Sequence, residues 1–368
     1  MDDGPRRERS SIPEERLRAC LQDQYGLSDV TLEFLHLGWD SMAVVYRVVS
    51  ARETPYLLRA KFASFYEPSC LVPRYLHDQG VSGVVAPLPT KRNALWTWIE
   101  VREWGDWGDW VVTVCPFIEG DIGWHPDMTD AQWKAMGTIL KQIHQAPLPP
   151  EGIPSLRRET FDAAAYSRQA RAFDTHFDLH PARADGGSQV EHALYAGWME
   201  QQSTIHTLLT AMETLAAVLR QRSGPFVICH ADLHPGNMIR DHAGRVCVID
   251  WDDVMLAPKE RDFIFVADAP ADGVERDGAS PFFQGYGLVE VNWVALTYYR
   301  FERVVQDLLE CAQEVLFMDD LGEAAKAEAA QLFGEVLAPG GMVDAAWAAA
   351  AHLPAEDWPL GRRRNARD

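Results

Sequence analysis

His230, Asp232 and Asn237 fall within eight residues of one another, and Ile249, Asp250, Trp251 and Asp252 follow downstream. Phosphoryl transfer needs a carboxylate to orient, or take the proton from, an attacking hydroxyl. It also needs hard oxygen ligands for the Mg2+ ions that bridge nucleotide phosphates. Asp232, Asn237 and Asp250 make up such a set. Asp and Asn are common turn residues as well, so the Asp232 to Asn237 stretch by itself is equally a plain loop. The Ile-Asp-Trp-Asp run downstream, with strand-like runs on both sides, favours chemistry. His234 is either a loop hydrogen-bonder or a substrate contact, and Asp252 either a further ligand or a cap for the next segment.

Elements that could position these side chains can be read around them. Residues 226–229 and 246–249 are buried-strand runs, with an Asp-His-Ala-Gly turn at 241–244. Two adjacent strands joined at one end would bring the Asp232 loop, Asn237 and Asp250 to a common point. Upstream, residues 13–25 read as an amphipathic helix and 44–49 and 56–62 as strands of a hairpin sheet. A helix at 67–79 and strands at 95–101 and 111–118, with Gly-Asp turns between, complete an N-terminal α+β lobe. Beyond Cys115, Pro116 and Phe117 the chain turns helical. Thr129 with Gln132 forms a candidate capping box, and Trp133, Met136, Leu140 and Ile143 share one face. Helices resume from about residue 291 to 352, with Phe301, Val304, Val305, Leu308 and Ala312 at helical spacing.

At 368 residues the chain has room for two lobes with their own cores. Its 47% apolar and 24% charged content is that of a folded globular protein. It has no apolar run of about 18 residues and its first residues lack the apolar stretch of a signal peptide, so a cytoplasmic location is expected. The six cysteines are widely spaced, without a Cys-x-x-Cys pair, and read as reduced core thiols. A net charge of −20 speaks against nucleic acid or an anionic membrane as a partner and would attract a cationic ligand. The expected organisation is a charged leader at 1–11, a nucleotide-binding lobe at 12–113, a hinge at 114–118, a catalytic and substrate-binding lobe at 119–355 and a tail at 356–368.

The His-x-Asp-x-x-x-x-Asn motif at His230 to Asn237 and the Ile-Asp-Trp motif at Ile249 to Trp251 resemble those of the aminoglycoside phosphotransferase family, relatives of the protein kinases. The likeness runs in the same order along nearly the whole chain. It is strongest to the spectinomycin phosphotransferases, through residues 249–262 and 298–303. The resemblance implies a bilobal kinase-like α+β fold, an antiparallel-sheet lobe followed by a larger, mainly helical one. It implies Asp232 as catalytic base, Asn237 and Asp250 as ligands of two Mg2+ ions, ATP or GTP as donor, and His230 as the residue that shapes the catalytic loop. The family's phosphate-binding lysine aligns with Arg59, with Lys61 two residues on. Strand alternation points both the same way, so either can reach the phosphates. Glu67 is the candidate ion-pair partner, Gly38 and Ser41 belong to the phosphate-covering loop, and Val114, Cys115 and Phe117 line the adenine.

For the acceptor the resemblance implies a small cationic alcohol such as an aminocyclitol antibiotic. Glu302 and Asp307 are candidate contacts, and the acidic, irregular stretch 268–286 a candidate lid. Asp307 with Arg303 is equally a surface ion pair on one helix. A metabolic kinase of the same fold, acting on choline, homoserine or methylthioribose, and a nucleotide-binding pseudokinase remain alternative readings. The intact Asp232, Asn237 and Asp250 weigh against the pseudokinase and Arg59 in place of lysine weighs for it.

Overall fold

Buried and partly exposed residues alternate along two runs, Ala43–Val49 and Pro55–Phe62, and in the computed structural model of this chain both are inner strands of an antiparallel sheet. The structure describes residues 12–35, 43–50, 54–62, 65–103, 106–123, 127–179, 187–222, 224–266, 280–318 and 321–357. The expected leader, the phosphate-covering loop with Gly38 and Ser41, and most of the tail lie outside the described residues.

The chain starts with helix α1 (Glu14–Cys20), whose last turn widens over Leu21–Tyr25 before Gly26, at φ 73°, ends it. Strands β1 (Thr31–Leu35), β2 (Ala43–Val49) and β3 (Pro55–Phe62) follow, then helix α2 (Pro68–Asp78), β4 (Thr97–Glu103) and β5 (Asp106–Pro116). Their sheet order is β1-β2-β3-β5-β4. Of the Gly-Asp pairs expected between the last two strands, Gly108-Asp109 lies instead within strand β5, while Gly105 is outside the described residues. Gly108 pairs with Val101 and Asp109 with Glu100, so the ladder runs on through them to Asp106 and Glu103. Tyr46, Val48, Leu58, Ala60, Val112 and Val114 form the apolar face of this sheet, which packs on Leu17 and Leu21.

Next come β6 (Gly120–Ile122) and α3 (Asp130–Gln145). The Thr129 hydroxyl accepts from Gln132 N–H, and the Gln132 side chain accepts from Thr129 N–H at 2.9 Å. This closes the capping box read from the sequence, worth about 1 kcal/mol. Strand β7 (Arg157–Arg158) leads into α4 (Ala164–Leu179) and the 34-residue α5 (Gln189–Arg222). The chain then forms β8 (Val227–Cys229), β9 (Met238–Asp241), β10 (Val246–Val248), β11 (Met255–Ala257) and α6 (Pro281–Tyr286). It ends in α7 (Trp293–Phe317), α8 (Glu323–Leu337) and α9 (Met342–Ala350). Two small sheets accompany the large one, in the orders β10-β9-β6 and β7-β11-β8.

These elements fall into two compact units. The first holds the described residues of Met1–Arg158, Val227–Leu256 and Arg276–Val289, and so contains the five-stranded sheet together with the His230 and Asp250 loops. Within it α6 packs on α3 through Gly137 and Gly285, where a Cβ would meet backbone carbonyls at 2.0 and 1.8 Å. The expected lid at 268–286 lies outside the described residues up to 279. Its remainder is this helix, because Phe282 and Tyr286, one turn apart, are both buried. The second unit is helical. Its core gathers Trp198, Leu208 and Met212 of α5 with Tyr298, Phe301, Val304 and Leu308 of α7, the face expected from the spacing.

Candidate active site

The loop that carries Asp232 leaves β8 at His230, whose ring is fully buried. His230 Nδ1 accepts from Asp232 N–H at 3.4 Å and Nε2 donates to the Ile249 carbonyl at 2.8 Å, which fixes the tautomer. One imidazole therefore ties the Asp232 loop to the Asp250 loop, and it packs on the Trp251 ring at 4.7 Å. Ala231 and Asp250 both adopt positive φ, 73° and 60°. Non-glycine residues hold that conformation only where the surroundings determine it, and such strain clusters at functional loops.

Asp232 is held from two directions. Asn237 Nδ2 donates to its backbone carbonyl at 2.8 Å and to Oδ2 at 3.2 Å, while His234 Nε2 stands 3.5 Å from the same oxygen. His234 also accepts from Gly236 N–H through Nδ1, capping the short helical turn Pro235–Asn237. Below the turn, Gly123 N–H is shared between the Pro235 and Met238 carbonyls, both at 2.9 Å. A Cβ there would lie 2.5 Å from Pro235 O, so glycine allows this approach.

The second loop passes Asp250 and Asp252. Arg59 grips Asp252 with both ends of its fork, Nη1 to Oδ1 at 2.9 Å and Nη2 to Oδ2 at 2.6 Å, and Lys61 Nζ adds a bond to Oδ2 at 3.2 Å. Arg59 Nη1 is also 4.0 Å from Asp250 Oδ1. Burial alone would raise the Asp252 pKa, but the bonds and charge of Arg59, with Lys61, hold it at about 2. At Asp250 the balance is reversed: loss of solvation and the Asp252 and Asp232 charges push the carboxyl up, opposed by Arg59 and His230. Half of that side chain is still open to solvent.

Two residues that the sequence reading missed fasten the same loop. Arg157 Nη2 donates to the Asp252 carbonyl at 2.7 Å and reaches Asp253 Oδ1 at 3.3 Å, with its guanidinium 4.2 Å above the Tyr66 ring. The Tyr66 hydroxyl donates to Val254 O and accepts from Arg157 N–H, both at 2.8 Å. Nothing in the local spacing of either residue signals this.

Residues 37–297 match the phosphotransferase enzyme family, known as APH. This chain belongs to that family. The solved spectinomycin phosphotransferase APH(9)-Ia in complex with ADP and spectinomycin resembles this phosphotransferase with a TM-score of 0.78 and 26% identity, over 93% of this chain and 99% of that one. The AMP-bound complex of the same enzyme gives 0.71 and 25%, over 90% and 98%. A microcompartment-associated aminopropanol kinase shares the fold at 16% identity and a TM-score of 0.55, over 92% and 96%. Among curated protein sequences none matches. The kinase-like α+β fold implied by the motifs is thus the fold of this phosphotransferase.

The structure distributes the remaining site candidates unevenly. Arg59 and Lys61 both meet Asp252, whereas Glu67, exposed at the N-cap of α2, takes no part in that ion pair. Leucine and alanine at 58 and 60 fill the opposite, buried face of β3. At the expected hinge Val114 is buried and its carbonyl accepts from Leu88 N–H at 2.7 Å. Cys115 pairs with Leu57, burial raising its thiol pKa to about 12, and Phe117 stacks under Arg47 at 5.3 Å. In the helical unit Glu302 and Asp307 are 7% and 6% exposed. Glu302 binds Arg261 and accepts from the Tyr298 hydroxyl, and Asp307 pairs with Arg303 at 2.8 Å. Glu159 approaches the same Arg261 Nη1 at 3.5 Å, its pKa raised by burial and by the Glu302 charge. Among the described residues no helix is long and apolar enough to cross a membrane.

Proposed function

We propose that this phosphotransferase transfers the γ-phosphoryl group of ATP to a hydroxyl of a small cationic acceptor, in a Mg2+-dependent reaction, with spectinomycin as the leading candidate. The observation that carries this reading is the pair of bonds from Asn237 to Asp232, on a loop whose histidine also holds the Asp250 loop. Asp232, 24% exposed at its side chain, is the group placed to accept the hydroxyl proton as the acceptor oxygen attacks phosphorus. Asn237 and His234 both approach its Oδ2, which holds the carboxylate in one orientation.

The donor atoms suit Mg2+. Asn237 uses its amide nitrogen on Asp232, so the carbonyl oxygen is the end available to a cation, and Asp250 offers a half-open carboxylate. Bound there, Mg2+ would neutralise the phosphate oxygens while the phosphoryl group moves. Arg59, whose fork matches phosphate as well as carboxylate, and Lys61 are the cations for the nucleotide, and residues 114–118 the hinge for its base. A net charge of −20 favours a cationic acceptor, and APH(9)-Ia, seen with spectinomycin, matches 93% of this chain. A cytoplasmic setting goes with this reading.

The test is phosphoryl transfer from ATP by the purified chain, with and without Mg2+, across spectinomycin, aminoglycosides, choline, homoserine and methylthioribose. Mg2+-dependent phosphorylation of spectinomycin is the expected result. Turnover on one of the metabolic alcohols alone would move the acceptor to that class. No turnover by protein that binds MgATP would leave a nucleotide-binding module.

A further inference from the structure

Asp252 is the meeting point of two separate sets of contacts. Its carboxylate is held by Arg59 and Lys61, while its backbone carbonyl is held by Arg157. Arg157 begins β7, opposite Met255 of β11, and its guanidinium lies flat over Tyr66. Tyr66 in turn bonds Val254 O and stands one residue before the N-cap of α2. The loop from Asp250 to Val254 is thus pinned at two carbonyls, two and four residues past Asp250.

We infer that Arg157, seated on Tyr66, is a positioning residue that sets the Asp250–Asp252 loop for metal and phosphate. The inference rests on the kinase reading above and extends it to residues outside the motifs. A surface role alone is a poor account of the geometry. The Arg157–Asp253 ion pair is 48% and 54% exposed and contributes little to stability. The bond to the Asp252 carbonyl and the stacking on Tyr66 instead fix a backbone that Asp250, at φ 60°, already holds in an uncommon conformation. Outer partners that orient metal ligands typically change metal affinity 10- to 100-fold when removed.

Because Arg157 is half exposed, Arg157→Ala leaves no cavity, and the fold is expected to survive with a thermal midpoint lower by about 2–4 °C. Calorimetry with a non-hydrolysable ATP analogue then reads the effect. The Mg2+ concentration for half-saturation of nucleotide binding should rise at least tenfold, while binding of the analogue without Mg2+ and the KM for the acceptor stay near wild type. Tyr66→Phe keeps the ring under the guanidinium but loses both hydroxyl bonds, and should show the same change in smaller degree. Arg157→Lys should recover part of the loss. An unchanged Mg2+ requirement in Arg157→Ala, whatever the midpoint does, would reduce Arg157 to a structural clamp and overturn the inference alone. A wild-type chain that binds no nucleotide with Mg2+ would overturn the kinase reading and the inference together.

Discussion

Asn237 Nδ2 donates at once to the backbone carbonyl and to the carboxylate of Asp232, at 2.8 and 3.2 Å. A single amide thereby fixes both the loop and the side chain. Loss of that carboxylate can be separated from loss of binding.

Asp232→Asn should leave the fold and MgATP affinity nearly unchanged and lower kcat by about 10²–10⁴-fold, because an amide cannot accept the hydroxyl proton. Single-turnover kinetics with saturating nucleotide provide the measurement. A variant keeping more than roughly a tenth of wild-type turnover when chemistry limits the rate would remove Asp232 from the role of base.

Asp250→Ala should abolish the Mg2+ dependence of nucleotide binding, since it takes away a hard oxygen ligand where phosphate charge accumulates. Calorimetry with Mg2+ and an ATP analogue reads this directly. Equal affinity and equal metal response in wild type and variant would exclude a ligand role.

Asp252 yields a pH dependence of stability. Its folded pKa, about 2, lies below the roughly 3.9 of an unfolded aspartate, so the ionised form is the one folding favours. The contribution, on the order of 2 kcal/mol, is complete above about pH 4 and disappears as pH falls toward 2. In urea titrations wild type should exceed Asp252→Asn by that margin at pH 5 to 7, and the gap should close between pH 4 and 2. A gap independent of pH would mean that the Arg59 ion pair is not its source.

Glu302 should behave as a structural residue. Glu302→Gln leaves Arg261 with Glu159 as its remaining carboxylate partner among the described ion pairs, and a broken buried pair costs on the order of 3 kcal/mol. Denaturant unfolding should register that loss while the KM for the acceptor stays within about twofold. A raised KM at unchanged stability would return Glu302 to the substrate-contact role expected from the sequence.

If spectinomycin is the acceptor, the −20 net charge should make its kcat/KM fall as ionic strength rises from about 0.01 to 0.15 M, where the Debye length shrinks from about 30 to 8 Å. The KM of an uncharged alcohol should stay flat over that range. Equal salt responses for both acceptors would detach the acidic balance from acceptor recognition.

The local geometry of the two loops was legible because the motifs are short: in His230 to Asn237 the spacing places Asn237 against Asp232, and His230 reaches the carbonyl of Ile249. Alternation along β3 likewise placed Arg59 and Lys61 on one face. The anion they share could not be read, because Asp252 is 193 residues from Arg59. Glu67 looked nearer only in sequence. Helical spacing put Glu302 and Asp307 on α7, but which of its faces is buried depends on α5, α8 and α9, so two side chains expected at a substrate lie in ion pairs of the helical unit. Arg157 and Tyr66 escaped for the same reason: their contact spans 91 residues.

Strands β7 and β8 flank β11 in one sheet, yet α4 and α5 lie between them in the chain. The detour through 68 residues, Glu159–Phe226, therefore departs and returns two strand widths apart, roughly 10 Å. Its ends are anchored by pairing that the detour itself does not supply. Lengthening it leaves both anchors where they are, and the closure cost grows only with the logarithm of its length. The 68-residue segment is accordingly an insertion between two strands of one sheet, and the sheet, not the length of the segment, sets where its two ends lie.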